Sequence, residues 1–565
     1  MNYTIGLSGY FHDSSVCLLE GGSIIEFVRE ETLTRVKGTN QFPHRALRFL
    51  IDKYNLDDTN VDFICFYEKP LRGWFSSVNF SLKRPLDRME LLKNQLKQFW
   101  SGPANVSQKI LKVLKIDEQK ILFAPHHLSH VLSATPFQKG PSTQQSLHFV
   151  FDAVGDGICS SIFYGIPSSL QILRQDQYPN SLGLFYSAVT EYCGFNTNEG
   201  EFKLMALAAY GKPIHSEFLL KNVIRFSSPE LKLNLKWFNF HRSVTTSYSD
   251  LFLKKFGPAA QENDLIEDAN RFKDFADLAA SAQDVTERII CRTISWGIEQ
   301  TGITSITVSG GVAQNCVAMH SASKLMGACD FTVPPSPGDS GAAIGAANFA
   351  EIMANRSPVK IHDIAFGGSF SPPKSGLFEE LFQLVAKENA YVEVAELINN
   401  GNIICTFLGG NEIGPRALGF RSIICSAGKA PVVQRLNTLI KKRESFRPLA
   451  PAMTSETAEN YFHLNKNALR NYNWMGLIAF AKPELPSQYN CCLHVDGSAR
   501  LQILKKDISP LYEILELAED EILLNTSFNI SGDPIVGDYF DCYVNMQRMG
   551  LEYLITDKGL YKLII

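Results

Sequence analysis

The sequence predicts an α/β protein in two domains, and three observations predict it. Two segments share one logic of apolar strand, small-polar turn and second strand: YTIGLSGYFHDSSVCLLEGGSIIEFVREE (3–31) and LHFVFDAVGDGICSSIFYGI (147–166). Each is followed by helical material, which hints at a duplicated α/β design. A long amphipathic stretch, FADLAASAQDVTERIICRTISWGIEQTG (275–302), reads as a helix that feeds a strand and a Gly-rich turn in ITSITVSGGVAQNCVAM (303–319). Strand and helix patterns then weaken across 352–375, where Gly, Ser and Pro cluster, and resume after it. We therefore expect domains over 1–355 and 376–565 with a linker over 356–375.

The remaining elements follow in order. VDFICFYE (61–68) is a short apolar strand, and FTVPPSPGDSGAAIGAANFAEIM (331–353) reads strand, Pro/Gly loop, small-residue helix. Beyond the linker, LFEELFQLVAKENA (377–390) and VEVAELINNG (392–401) read as helices. NIICTFLGG, EILLNTSFNI and EYLITDKGLYKLII read as strands. No short-period repeat is visible.

Composition excludes several functions. The 565 residues are 45% hydrophobic and 20% charged, as in a globular protein, and exceed one ordinary core. A net charge of −4 without a dense Lys/Arg block argues against a broad nucleic-acid surface. No apolar run reaches the roughly 18–20 residues that span a bilayer, and the N-terminus lacks the pattern of a signal peptide. The 12 cysteines form no CxxC pair. Those at 17, 65, 159 and 405 lie in apolar runs, as reduced core thiols of a cytoplasmic protein do.

Chemistry concentrates in a few stretches. FAPHHLSHVLSA (123–134) holds three of the chain's 12 histidines. If a helix starts after Pro125, His126 and His130 stand at i and i+4 and can share one ion; a pair of ordinary packed histidines is the alternative. Such an ion needs a third ligand, and Asp339, presented by a Pro/Gly loop at a helix start, is the candidate; alone it is equally an N-cap. Three loops at strand ends suit anions or their counter-ions. They are GLSGYFHDSS; FDAVGDG with Asp152, Gly155 and Asp156; and VSGGVAQN with Ser309, Gly310, Gly311 and Asn315. His12, beside the first loop, titrates near neutrality and could act as a base. The densest cationic signal lies in GGNEIGPRALGFRS, with Arg416 and Arg421, and in KKRESFRPLAPAM, with Lys441, Lys442, Arg443 and Arg447. Arg forks match phosphate and carboxylate oxygens. LNTSFNISGDPIV adds Asn525, Ser527 and Asn529 as neutral hydrogen-bonding groups.

These blocks, in this order, resemble the nodulation-protein-U and antibiotic O-carbamoyltransferase family. SGYFHDSS, EETLTRVK, HHLSH, FDAVGDG, NEGEFKLMALAAYG, VSGGVAQN, PGDSGAA, GPRALGFRS, KKRESFRPLAP, HVDGSARLQ and LNTSFNISGDPIV run nearly end to end. The resemblance implies a duplicated actin-like ATPase domain followed by a domain similar to the enzyme that makes threonylcarbamoyl adenylate (YrdC-like). It implies that carbamoyl phosphate and ATP, with Mg2+, form carbamoyl adenylate in the C-terminal domain. The N-terminal domain then passes the carbamoyl group to a hydroxyl of a small molecule. It also implies metal ligands at His126, His130 and Asp339, with iron favoured and zinc or manganese also fitting the donor set; His127 lies outside the set. Asp152 matches an acidic phosphate-loop residue, His12 the base for the acceptor hydroxyl, and Lys37 a lysine near the carbamoyl group. Arg416, Lys442, Arg447, Asn525, Ser527 and Asn529 match the adenylate-forming pocket.

Two positions depart from the family pattern. ICSAGKAP replaces an ADPR-like loop, with Lys429 in the arginine's stead, and Phe420 stands where Asn is common. Acceptor contacts are expected from 66–85 and 239–257. The acceptor's identity and the oligomeric state are not legible. An actin-like ATPase or kinase would need neither the HHLSH triad nor a second domain. A tRNA-threonylcarbamoylating protein would want a basic surface.

Overall fold

The computed structural model describes residues 2–83, 88–261, 269–327, 329–359, 361, 377–441, 447 and 449–564. The chain divides into two compact units, one formed by 1–24 and 40–360, the other by 25–39 and 361–565. The Gly/Ser/Pro-rich stretch 362–376 lies outside the described residues.

One sheet contains β1 (Tyr3–Ser8), β2 (Ser15–Glu20), β3 (Ser23–Arg29), β4 (Val61–Phe66) and β5 (Ile121–Phe123) in the order β3-β2-β1-β4-β5, all of it but 25–29 of β3 belonging to the first unit. A second sheet contains β6 (Ser146–Gly155), β7 (Ile158–Ile166) and β8 (Ser169–Gln177). A small hairpin, β9 (Ile224–Ser227) and β10 (Glu230–Leu233), stands apart from it. The sheet is completed by β11 (Ser305–Ser309) and β12 (Asp330–Thr332), in the order β12-β11-β6-β7-β8. Both sheets have the same layout. The first strand pairs antiparallel with the second and parallel with the next major strand, which pairs parallel with the last. Strands such as β1 and β11 are buried along their whole length, as apolar strands covered on both faces must be.

Two helices set the site. His126–Ala134 begins after Pro125, whose extended backbone starts it, and is buried throughout except at Leu128. Asp339–Met353 is rich in Ala and Gly, and that composition permits close approach. A Cβ on Gly345 would overlap the carbonyl of Ser129 in the first helix, and one on Gly6 of β1 would overlap the carbonyl of Ala343. The long helix expected over 275–302 spans Ala269–Thr301 and buries its apolar face from Phe275 to Gly297. Cys17, Cys65, Cys159 and Cys405 are buried free thiols.

The second unit is built on an eight-stranded sheet. In spatial order its strands are Phe382–Ala386, Gly559–Leu563, Tyr553–Thr556, Ile404–Phe407, Ser422–Ser426, Leu523–Ser527, Ala450–Met453 and Gln502–Ile503. Helices Ala390–Asn399 and Leu511–Leu517 cover it, joining Ile404, Ile424, Leu523 and Ile555 in one core. One expected element is corrected: only Leu377–Leu381 of the 377–390 stretch is helical. Phe382–Ala386 turns into a strand because Phe382, Gln383 and Leu384 pair antiparallel with Leu563, Lys562 and Tyr561. FQLVA suits a sheet edge, and the ladder overrides its helical spacing. Likewise the strand expected from 552 onward is a hairpin of Tyr553–Thr556 and Gly559–Leu563, turning between Thr556 and Gly559. Among the described residues, no helix is long and apolar enough to cross a membrane.

Candidate functional site

The strand ends of the first unit converge on one buried cluster. His126, His130, Asp152 and Asp339 each offer a ligand atom, and these atoms lie within 4.8 Å of one another. His126 Nε2 stands 3.1 Å from Asp152 Oδ2, 3.1 Å from His130 Nε2 and 3.8 Å from Asp339 Oδ1. His130 Nε2 is 3.3 Å from Asp339 Oδ1, and Tyr67 donates its hydroxyl to Asp339 Oδ2 at 3.4 Å. The tautomer of His130 is set from behind, because its Nδ1 faces the carbonyl of Pro337 at 3.2 Å. That leaves its Nε2 lone pair directed into the cluster.

Local sequence explains the convergence. The helical i, i+4 spacing brings His126 and His130 together. Asp152 sits where the register of β6 slips between Phe151 and Gly155. Its Oδ1 accepts the backbone N–H of Gly311 at 3.0 Å, so the loops after β6 and β11 are tied together. Asp156 (φ 52°) and Gly157 (φ 79°) make the tight left-handed turn that Asp-Gly favours. The Asp156 carboxylate accepts from the backbone N–H groups of Lys69 and His126 at 3.1 and 3.0 Å. Asp339 is the first residue of its helix rather than a residue of the loop before it.

The donor set fits a divalent ion. Two imidazoles and two carboxylates match zinc, iron or manganese, and the buried Asp339 Oδ1 has no hydrogen-bond partner. Without an ion, the electrostatics are those of excess carboxylate. Burial drives the pKa of His126 down, but the hydrogen bond to Asp152 and the charge of Asp339 outweigh it and raise it to about 9. His12 is opposed by burial in the same way, and Asp339, Asp13 and Asp152 raise its pKa to about 10. Its Nδ1 lies 3.0 Å from Asp13 Oδ2. Burial first, and then the neighbouring His126, hold His127 well below the usual imidazole range. Its two nitrogens meet Ser161 Oγ at 2.7 Å and the carbonyl of Ile158 at 3.2 Å, so it faces away from the cluster.

Of the other expected residues of this unit, Gly310, Gly311 and Asn315 have internal partners, whereas the buried Ser309 Oγ has none. Gly310 (φ 89°) and Gly311 form the close turn after β11, whose last residue, Ser309, is fully buried. The Asn315 side chain caps its helix at the N–H of Ala318 and exchanges hydrogen bonds with Gln283 at 2.8 and 3.1 Å. The sequence marks Tyr67 and Glu68 only as the end of the 61–68 strand and the start of the acceptor-contacting stretch 66–85. Glu68 Oε2 lies 3.9 Å from His126 Nδ1. Burial, with Asp156 and Asp339 adding to it against the charge of His126, raises its carboxyl pKa to about 8.

In the second unit, Glu412 organises the GPRALGFRS loop, accepting at one oxygen from the N–H groups of Leu418, Phe420 and Arg421 at 2.9–3.0 Å. Arg421 is fully buried. Its guanidinium donates to the carbonyls of Leu408, Gly409 and Phe420 at 2.6–3.1 Å and stacks on Phe407 at 3.7 Å. Asn525 donates to Ala417 and Gln502, while its buried Oδ1 has no partner. Ser527 Oγ donates to Asn529 Oδ1 at 2.6 Å. Lys441, also fully buried, donates to the carbonyls of Ser527 and Asn529. Arg416 and Arg447 are half-buried and Lys37 is exposed, whereas Lys442 lies outside the described residues.

Comparison with known proteins decides the family. The "Carbamoyltransferase N-terminus" model matches residues 3–348 and the "Carbamoyltransferase C-terminus" model residues 395–562. The chain belongs to the carbamoyltransferase family. It is 30% identical to an uncharacterized protein of Synechocystis, over 99% of this chain and 96% of that one. It is 28% identical to the nodulation protein NolNO of Sinorhizobium fredii, over 98% and 79%. It is also 26% identical to the 3'-hydroxymethylcephem-O-carbamoyltransferase of Streptomyces clavuligerus, over 79% and 81%. In this carbamoyltransferase the buried His/Asp cluster falls within the N-terminal match, and Arg416, Arg447 and Asn525 fall within the C-terminal one.

Proposed function

We propose that the chain is an ATP-dependent O-carbamoyltransferase with two sites. In a YrdC-like domain over 376–565, carbamoyl phosphate would lose inorganic phosphate to water to give carbamate, and a carbamate oxygen would displace pyrophosphate from the α-phosphate of ATP to give carbamoyl adenylate. An actin-like domain over 1–355 would then transfer the carbamoyl group to a hydroxyl of a small molecule. The buried quartet His126, His130, Asp152 and Asp339, inside a chain matched by both carbamoyltransferase family models, carries this reading.

The residues divide the chemistry. Carbamate is a weakly electrophilic anion, and activating it as a mixed anhydride with AMP gives it a good leaving group. Its meeting with the α-phosphate of ATP needs cationic forks such as Arg416, Lys442 and Arg447, with Asn525, Ser527 and Asn529 as neutral donors and acceptors. A divalent ion held by His126, His130 and Asp339 would offset negative charge on the departing AMP and on Asp152 and Asp339, whose field otherwise keeps His12 protonated. Neutral His12 would take the proton of the acceptor hydroxyl. The Gly310 and Gly311 N–H groups are taken by the Pro337 carbonyl and by Asp152, so this turn would serve a phosphate through the close backbone approach its glycines allow.

The deciding experiment incubates the purified chain with ATP, carbamoyl phosphate and a divalent ion, without acceptor. Mass spectrometry should find pyrophosphate and carbamoyl-adenylate-derived products. Both should depend on carbamoyl phosphate and disappear in Arg447→Ala. ATP hydrolysis indifferent to carbamoyl phosphate would favour an actin-like ATPase. Turnover with L-threonine and bicarbonate instead would favour threonylcarbamoyl transfer.

A further inference from the structure

The three histidines of the 126–134 helix differ in what stands behind them. His130 Nδ1 has the Pro337 carbonyl at 3.2 Å, and His127 Nδ1 has Ser161 Oγ at 2.7 Å. His126 Nδ1 is buried and has no hydrogen-bond partner. Yet His126 Nε2 is the atom that faces Asp152, His130 and Asp339. The tautomer that leaves this nitrogen open to an ion places the ring proton on Nδ1, and a buried N–H without an acceptor is costly. The nearest carboxylate oxygen is Glu68 Oε2 at 3.9 Å, beyond hydrogen-bond length by about 1 Å. Among the described residues no hydrogen-bond donor reaches that carboxylate.

The backbone on either side of Glu68 is fixed. Tyr67 N–H donates to Leu7 and the Tyr67 carbonyl accepts from Ser129 Oγ, both at 2.9 Å, while Lys69 N–H is held by Asp156. The side chain, 19% exposed, is left to rotate about soft terminal torsions. A small rotation, or one bridging water, completes a carboxylate–imidazole pair.

We propose that Glu68 is a positioning residue, accepting the Nδ1 proton of His126 so that His126 Nε2 is oriented and electron-rich toward the ion. Tyr67, its neighbour, donates its hydroxyl to the Asp339 carboxylate, so one dipeptide just after β4 steers two of the four donors. The assignment rests on reading the quartet as a metal centre. Its consequence is ion affinity, not bond chemistry: partners of this kind are worth about 10–100-fold in metal binding.

The test uses the full-length chain stripped of metal. Co2+ is titrated against a chromophoric chelator, and the visible absorption of the bound ion is recorded. Glu68→Ala should bind Co2+ about 10–100-fold more weakly with altered bands. Glu68→Gln, which keeps an acceptor of the same shape, should fall between it and the parent. If Glu68→Ala does not fold, judged by circular dichroism of the ion-free protein, the near-isosteric Glu68→Gln carries the comparison alone. Binding within twofold of the parent with an unchanged spectrum overturns the role of Glu68 and leaves the metal centre standing. A parent chain that does not retain Co2+ overturns both, independently of any carbamoyl-transfer assay.

Discussion

Gly155 lies so close to His126 that a Cβ on the glycine would occupy the space of the imidazole ring. The ring therefore packs against bare backbone at the end of β6, and no other residue type leaves room for it. Gly155→Ala should displace His126, weaken ion binding at least about tenfold, and cost about 1–3 kcal/mol through overpacking. Metal content after dialysis and thermal unfolding measure the two effects; an unchanged metal content would count against the quartet.

His127 and His130 separate a structural histidine from a ligand. His127→Asn should still bind one equivalent of ion while losing about 1–2 kcal/mol, because Ser161 and the Ile158 carbonyl lose a partner. His130→Asn should lose the ion. Titration of both variants with Zn2+ checks this, and equal losses would refute the division.

The raised pKa of His126, about 9 in the ion-free chain, predicts two opposite pH trends. Its pKa lies above the unfolded value of about 6.5, so its contribution to stability is complete below about pH 6.5 and is lost as pH rises through 9. An ion must displace that proton, so affinity should climb about tenfold per pH unit up to about 9. Thermal unfolding of the ion-free chain should show the first trend between pH 6.5 and 9, and competitive metal titration the second. A flat affinity over pH 7–9 would contradict the assignment of His126 as a ligand.

Arg421 belongs to the core of the second unit. Arg421→Ala strips donors from three carbonyls and removes the group stacked on Phe407. A loss of at least ~3 kcal/mol in urea unfolding is expected. Arg421→Lys should rescue little, since one ammonium cannot reproduce the fork. Full stability with selective loss of ATP binding would instead give Arg421 a ligand.

Much of this was legible from spacing. The i, i+4 histidines required only a helix after Pro125, and the alternation of strands and turns announced both sheets. Asp152 was legible as a strand-end acid but not as a neighbour of His126, since 26 residues of chain carry no local signal of their meeting. Tyr67 and Glu68 were missed because FYEKP reads like any strand that surfaces into a loop. Arg421 and Lys441 show the reverse problem. Cations among Gly and Pro suggest a ligand, yet backbone carbonyls turned inward satisfy them equally well. The strand at 382–386 was hidden because its partner, Gly559–Leu563, lies at the far end of the chain.

The pairing of Gly345 with Ser129 has a consequence beyond packing. At Gly345 the helices bearing His130 and Asp339 meet backbone to backbone, and beside that crossing the Asn348 amide of one donates to the Leu132 carbonyl of the other at 3.0 Å. The pair acts as a ruler. The spacing between donors recruited from distant parts of the chain is read off the main chain itself, so an ion seated there would act as a removable rivet across a long loop. Taking the rivet out should loosen the junction of the two sheets while each sheet keeps its own ladder.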